Sequence, residues 1–99
     1  ARVGEFLANQ GLTAADELER IRRYDARHDT EYEATLAVYL DAQGSIRETA
    51  ERLRVHQNTV RYRMDRLGAE LGIRLEDPAT RLWLWLRLMT ATSAERFPG

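Results

Sequence analysis

The feature that most constrains the fold of this chain is a pair of short helical segments within residues 46–67, which read IRETAERLRVHQNTVRYRMDRL. Apolar residues recur every three or four positions in both segments, as they do along one face of an α-helix. The pattern predicts a helix over about residues 46–53, a break at residues 54–56 and a second helix over about residues 57–71. Gly72 follows at a position where glycine commonly ends a helix.

The two segments carry the packing residues of a helix-turn-helix motif. Ala50 stands where the helices must approach closely, since a larger side chain would push them apart. Leu53, Val55 and Val60 are placed to fill the wedge between the helices, and Met64 continues the seam. A small residue, an apolar residue three positions later and a β-branched residue in the turn are typical of this motif. Many other helical hairpins share such apolar spacing, so the pattern alone leaves that alternative open.

Three more helices are predicted around this pair. They cover about residues 14–27, about residues 31–42, and a last segment from Pro78 to about Met89. Residues 82–86 are all apolar, which is also compatible with a strand, but the cap signal and the length favour a helix. Because this helix is apolar nearly all round, we expect burial on more than one side. The predicted fold is all-α: a small helical bundle of about five helices that contains the helix-turn-helix.

The predicted helix starts depend on capping patterns, in which a side-chain oxygen accepts a hydrogen bond from an amide of the first turn. The patterns are Thr13 with Asp16, Thr30 with Glu33, Ser45 with Glu48, and Asp77 before Pro78. In the second and third, the glutamate can also reach back to the amide of the cap residue. Proline suits the first helical position, because its missing N–H would have no partner there.

The chain is predicted to contain three parts. Residues 1–28 form an N-terminal segment whose leading helix packs on the bundle, residues 29–92 form the helix-turn-helix domain, and residues 93–99 form a tail. Residues 9–11 read as a turn.

The sequence contains no cysteine, so no disulfide framework is expected. The chain opens with no signal-peptide pattern, and residues 82–86 are far short of the roughly 20 residues that a membrane helix needs. We expect a cytoplasmic protein without a membrane partner.

Charge is distributed unevenly, although the formal net charge is only −1. Residues 1–45 hold five arginines and nine carboxylates, whereas residues 46–66 hold six arginines and three carboxylates. The overall pI of 6.2 argues against a nucleic-acid partner, since such domains usually have a pI above about 9. The basic middle segment argues for one, because a phosphate responds to the local field.

All fifteen basic residues are arginine, and two explanations stay open. A GC-rich coding bias replaces lysine with arginine throughout a protein. Selection for bidentate recognition of phosphate or guanine instead favours arginine at particular positions. Composition does not distinguish these two explanations, so they have to be distinguished by the position of each arginine.

The predicted helix over about residues 57–71 carries side chains suited to DNA on the face opposite Val60. Glutamine, asparagine and arginine make bidentate contacts to adenine and guanine edges in the major groove. The candidate base contacts are Gln57, Asn58, Arg61 and Tyr62. The candidate phosphate contacts are Arg47, Arg54, His56, Thr59, Arg63 and Arg66. Two alternatives remain: the face is an ordinary solvated surface, and Arg63 pairs with an acidic residue inside the domain.

These features predict sequence-specific binding of double-stranded DNA, with the helix over about residues 57–71 as the recognition helix in the major groove. Double-stranded RNA fits less well, because its deep, narrow major groove excludes a helix. An enzyme is not expected, since His28 and His56 are lone histidines and the sequence has no glycine-rich phosphate loop. Glu31 and Glu33 are two residues apart and do not face each other on a helix. We expect no cofactor and no metal site.

The apolar last helix is a second candidate surface, for protein association. Its candidate interface residues are Trp83, Trp85, Leu86 and Met89. A homodimer formed there would present two recognition helices to half-sites about 34 Å apart. Two alternatives are that these residues pack only on the first two helices, and that the chain is a helical interaction module without a DNA role.

The most specific motif is the string His-x-Asn-Thr-x-x-Tyr-Arg at residues 56–63. The segment of about residues 35–88 contains this string, with Leu53 before it and Gly72 after it. That segment resembles the C-terminal DNA-binding domain of PucR/CdaR-type bacterial transcriptional regulators. The resemblance implies a helix-turn-helix fold, a double-stranded DNA partner and a small-molecule inducer bound by an upstream region outside these residues. The family often has arginine where this chain has Gln57, so a different base preference is expected.

Overall fold

The computed structural model describes residues 16–96, with side chains described for residues 16–90, and it contains helices and no strand in that part of the chain. The helices are α1 over residues 16–28, α2 over Tyr32–Asp41, α3 over Ile46–Leu53, α4 over Gln57–Leu71 and α5 over Pro78–Arg96. The all-α prediction is confirmed, α3 and α4 have the predicted bounds, and α5 continues past its predicted end near Met89. The predicted turn at residues 9–11 and the predicted Thr13 cap lie outside the described residues.

The start of α2 differs from the prediction, because its cap comes from α1. The Asp25 carboxylate accepts hydrogen bonds from the amides of Tyr32 and Glu33, both at 2.9 Å. Thr30 donates its hydroxyl proton to the same carboxylate at 2.5 Å. Glu33 pairs with Arg22 at 2.9 Å rather than reaching back to the cap. The predicted capping box of Thr30 with Glu33 is therefore wrong, since an aspartate of the preceding helix satisfies these donors.

Local signals do set the ends of α3 and α4. Ser45 caps α3 as predicted, because its Oγ accepts a hydrogen bond from the Glu48 amide at 3.1 Å. Arg54 has φ 59° at the end of α3, and Gly72 has φ 68° at the end of α4. A left-handed residue at this point turns the chain back so that its amides reach carbonyls of the last helical turn. Glycine adopts this conformation without strain, whereas Arg54 is an uncommon residue there.

Helix α2 packs against α3, α4 and α5, and the core forms around it. The buried core residues are Leu18, Ile21, Tyr32, Leu36, Leu67, Ile73, Leu84 and Leu88. Ala50 and Val60 are buried where α3 meets α4, and Leu53 and Val55 are half-buried there. This burial and the packing of α3 on α4 agree with the predicted wedge between the two helices.

Helix α5 is only partly buried. Asp77 caps it as predicted, because its Oδ1 accepts a hydrogen bond from a first-turn amide at 3.1 Å. Leu84 and Leu88 face the core, whereas Leu82 is 54% exposed and Leu86 is 38% exposed. The expectation of burial on more than one side therefore overstates the burial, since packing covers the stripe of Leu84 and Leu88 but not that of Leu82 and Leu86.

Candidate nucleic-acid interface

Helix α4 presents its first two turns to solvent on the side away from the core. Val60 and Leu67 have no exposed surface and fix the rotation of the helix. Asn58 and Arg61 are exposed, and Tyr62 is 59% exposed. An aromatic side chain is usually more buried than this, so its exposure is informative. The structure places these predicted base-contact residues together on accessible surface.

Three of the candidate base contacts are joined by hydrogen bonds. Arg61 Nη1 donates to Asn58 Oδ1 at 3.1 Å, and Arg61 Nη2 donates to Gln57 Oε1 at 3.5 Å. Spacings of three and four residues place these side chains on the same side of the helix. We call Gln57, Asn58 and Arg61 the amide–arginine cluster.

His56 is the N-cap of α4. Its Nδ1 accepts a hydrogen bond from the Asn58 amide at 3.0 Å. In a neutral imidazole the other nitrogen, Nε2, then carries the proton and is a donor. Because the His56 side chain is exposed, it can cap the helix and donate a hydrogen bond to a ligand at the same time.

A groove of about 540 Å³ lies between α3 and the start of α4. Arg47, Arg54, Arg61 and His56 contribute to its lining. Glu51 also lines the groove and lies 3.8 Å from the Arg47 guanidinium, a pair that is exposed and therefore weak. With three arginines against one glutamate, the groove is suited to an anionic group such as phosphate.

Arg63 connects α4 to α2. Its Nη1 donates to Thr35 Oγ1 at 2.9 Å, and the Thr35 side chain is fully buried. The Thr35 hydroxyl in turn donates to the Glu31 carbonyl at 2.8 Å. The partner recorded for Arg63 is thus a hydroxyl in another helix rather than the acidic residue considered above. This bond competes with any contact from Arg63 to DNA.

Arg66 belongs to a network that joins α4 to α1. It forms an ion pair with Glu70, and its guanidinium lies 5.9 Å from the centre of the Tyr62 ring. Glu70 also accepts a hydrogen bond from the Tyr24 hydroxyl at 2.8 Å. Burial raises the pKa of Tyr24, so that hydroxyl remains protonated and able to donate. Arg66 therefore supports the exposed Tyr62 ring from within the domain.

Thr59 faces a different groove, of about 550 Å³, between α4 and the start of α2. Tyr62 and Arg63 line this groove, and so do the acidic residues Asp29 and Glu31. The two carboxylates make the site less favourable for a phosphate than the groove between α3 and α4.

The candidate interface residues of α5 fall into two groups. Trp83 and Met89 pack against the core. Leu86 is exposed, and Trp85 lines a groove of about 520 Å³ together with the exposed Leu82. The accessible apolar stripe of this helix is therefore formed by Leu82, Trp85 and Leu86.

Sequence reasoning missed the contacts that join different helices. No local pattern marks Asp25 as the cap of α2, Thr35 as the partner of Arg63 or Tyr24 as the partner of Glu70. The ion pair between Arg66 and Glu70 did have a signal, since opposite charges four residues apart on a helix commonly pair.

The two histidines have local roles. The ring of His28 packs beside Tyr24 with ring centroids 4.2 Å apart, and His56 caps α4. Among the described side chains, no three metal-ligating residues come together. None of the helices in the described range combines the length and hydropathy required to cross a bilayer.

The α3–α4 pair, its tight turn and the exposed polar start of α4 define a helix-turn-helix domain. The profile of the family described as the PucR C-terminal helix-turn-helix domain matches residues 32–90, from the first residue of α2 into α5. The chain belongs to this family, which is a family of transcriptional-regulator domains, and the resemblance inferred from the sequence is confirmed.

Curated relatives agree with this assignment. The chain is 50% identical over 54 residues to the purine catabolism regulatory protein of Bacillus subtilis (strain 168), covering 54% of this chain and 10% of that protein. It is 36% identical over 73 residues to the proline-responsive transcriptional activator PutR of the same organism, covering 74% and 18%. A protein of Thermomonospora curvata described as an uncharacterized protein in the pkwA 5' region is 42% identical over 64 residues, covering 65% and 32%.

The chain thus spans between 10% and 32% of the length of these relatives. The matched family consists of regulator domains, which confirms the prediction that the domain is not an enzyme, and the two relatives with functional names are regulators. No solved structure matches the chain.

Proposed function

We propose that this domain binds double-stranded DNA in a sequence-specific manner, with α4 as the recognition helix in the major groove. The observation that carries the proposal is the amide–arginine cluster, which brings Arg61 and two amide side chains together at the exposed start of α4. Tyr62 extends this surface by one exposed aromatic ring. Together these residues form the base-facing surface in the proposed complex.

The groove between α3 and α4 is proposed to hold the DNA backbone. Arg47 and Arg54 are exposed there, and His56 adds an N–H donor at the start of α4. Contacts of this kind fix the position of the protein on the duplex without reading sequence. The remaining phosphate candidates have competing partners or acidic neighbours and rank lower: Thr59, Arg63 and Arg66.

A salt titration of the 99-residue chain against a labelled DNA duplex tests this proposal. The affinity should fall steeply and linearly on a log–log plot as salt releases counterions from the neutralised phosphates. Arg54→Ala should weaken all sequences alike and reduce the salt slope by about 1. Arg23→Ala, an exposed arginine of α1 paired with Glu19, is the matched control and should leave affinity unchanged. A folded sample that binds no duplex at low salt would contradict the proposal.

We further propose that the domain acts as a homodimer through the apolar stripe of Leu82, Trp85 and Leu86. The support is the exposure of two leucines four residues apart, because an apolar stripe on a surface helix is costly in water. A double Leu82→Glu, Leu86→Glu variant should sediment as a monomer with unchanged helicity, whereas Thr90→Glu, an exposed position of α5, should not change the mass. A monomeric chain at high concentration would rule the dimer out. A dimer that binds no duplex would instead favour a pure interaction module.

We also propose that the chain is the DNA-binding part of a longer bacterial regulator that acts in the cytoplasm. The small share of each relative that it spans supports this, and so does the proline-responsive character of one of them. An inducer bound by another region should change the DNA affinity of the whole regulator and leave that of this chain unchanged. An inducer that shifts the affinity of the isolated chain would place the sensing site here.

A further inference from the structure

We infer that Arg61 reads a guanine and that Asn58 and Gln57 act as positioning residues for it, rather than reading adenine themselves. The inference rests on the proposed function and adds the chemistry of the base that the cluster recognises. It follows from counting the hydrogen-bond donors and acceptors that remain in the cluster after its internal bonds are formed.

Each internal bond uses one lone pair of an amide oxygen. Asn58 Oδ1 accepts from Arg61 Nη1, and Gln57 Oε1 accepts from Arg61 Nη2. Asparagine or glutamine reads adenine by placing both its oxygen and its nitrogen on the base edge, the oxygen accepting from the N6 amino group. Each oxygen keeps a second lone pair, but while it is directed to the guanidinium the amide does not turn its oxygen and nitrogen together onto an adenine edge.

N–H donors outnumber the remaining acceptor lone pairs on this surface. A guanidinium has five N–H donors, and two of them are used here, so Arg61 keeps three. Guanine is the base with two acceptors and no donor on its major-groove edge, O6 and N7, whereas adenine and cytosine each present an amino donor. A cluster that offers N–H donors therefore fits the two acceptors of guanine, is mismatched to the amino groups of adenine and cytosine, and meets only one acceptor, O4, on thymine.

The two amides also fix where the guanidinium points. Arginine has a long side chain with many rotamers, and ordering it on binding costs conformational entropy. Bonds from residues three and four positions earlier order Arg61 before DNA arrives. The exposed position of Asn58 and Arg61 keeps this prepared guanidinium accessible.

The first experiment selects bound duplexes from a random double-stranded DNA library with the 99-residue chain and with Arg61→Ala. The native chain should enrich guanine at a position where Arg61→Ala shows no preference, while preferences at other positions persist. Affinity for the selected site should fall about 5- to 150-fold in Arg61→Ala. Equal weakening on all sequences would mean that Arg61 binds phosphate, which would overturn the inference. Arg47→Ala, which is expected to weaken all sequences alike, is the matched comparison.

Base analogues then test which acceptor atoms of the selected guanine Arg61 contacts. Replacing the selected guanine with 7-deazaguanine removes the N7 acceptor and should lower the affinity of the native chain, but not that of Arg61→Ala. Replacing it with hypoxanthine keeps O6 and N7, so affinity should be unchanged. Loss of affinity with hypoxanthine and none with 7-deazaguanine would place the contact elsewhere on the base and overturn the inference.

The positioning role is tested by Asn58→Ala. The variant should retain the preference for guanine with a smaller margin, and the substitution should have no further effect in an Arg61→Ala background. If Asn58→Ala instead abolishes a preference for adenine that the native chain shows, Asn58 is itself a base reader and the inference is wrong. Selection of no sequence and no binding at low salt would overturn the proposed function, a result distinct from both outcomes. Circular dichroism checks that each variant keeps its helical content.

Discussion

Asp25 controls the start of α2, since its carboxylate accepts hydrogen bonds from the amides of Tyr32 and Glu33 and from the Thr30 hydroxyl. Replacing a capping side chain with alanine typically costs about 0.5–2 kcal/mol. Asp25→Ala should therefore lower the free energy of unfolding by about 1–2 kcal/mol in urea denaturation, near the upper end of that range because two amides and a hydroxyl lose their acceptor.

A matched aspartate separates this effect from the loss of a negative charge. Asp65 is exposed on α4, and Asp65→Ala should change stability by less than about 0.5 kcal/mol. If the two variants unfold at the same urea concentration, Asp25 does not cap α2.

Glu17 is a second residue that affects stability on its own. It is only 5% exposed, and its Oε2 has no hydrogen-bond partner among the described residues. Burial raises its pKa above the ordinary 4.5, and the nearby Asp77 adds to the rise, while Arg20 opposes it. A carboxyl whose pKa is higher in the folded state disfavours folding once the pH exceeds its unfolded pKa. Glu17→Gln should therefore stabilise the domain at pH 7.

The pH dependence provides the check on Glu17. As the pH falls below 4.5 the carboxyl becomes increasingly protonated in both states, so the difference between Glu17→Gln and the native chain should shrink there. Urea denaturation at pH 7 and at pH 4 measures it. A stabilisation that is the same at both pH values would show that the charge of Glu17 is not its cause.

At the scale of elements, the sequence predicted those helix ends that depend on neighbouring residues. The bounds of α3 and α4 follow from Ser45, from the break before Gln57 and from Gly72, each within a few residues of the helix it limits. The start of α2 was not predictable in the same way, because its cap lies on another helix. Thr35, buried in α2, illustrates the same limit, since the partner that it accepts from is 28 residues away.

The N-cap of α4 offers a prediction about an element. His56 Nδ1 accepts from the Asn58 amide, so His56→Ala should destabilise α4 and lower the free energy of unfolding by about 0.5–2 kcal/mol. His56→Ser restores an accepting oxygen and should recover most of that loss. Thermal unfolding followed by circular dichroism compares the two variants, and equal destabilisation by both would argue against a capping role.

In the whole molecule, one set of helices forms most of the core and another carries the exposed polar surface. Helices α1, α2 and α5 supply most of the core, and bonds from α1 and α2 hold α4 through Glu70 and Arg63. This support leaves the first turns of α4 and the groove beside α3 exposed. The near-neutral net charge of the chain therefore conceals a local basic surface, to which Arg47, Arg54 and Arg61 contribute. The sequence predicted this surface, because it depends on helix period and charge along one segment.

In the proposed complex, the start of α4 and the adjacent groove form the DNA-binding surface. The most direct test is a two-dimensional ¹⁵N NMR titration of the 99-residue chain with a duplex selected for binding. We predict that the largest amide shift changes fall within residues 45–63, around the amide–arginine cluster and His56, with small changes along α5. Large changes along α5 with residues 45–63 unaffected would contradict the account.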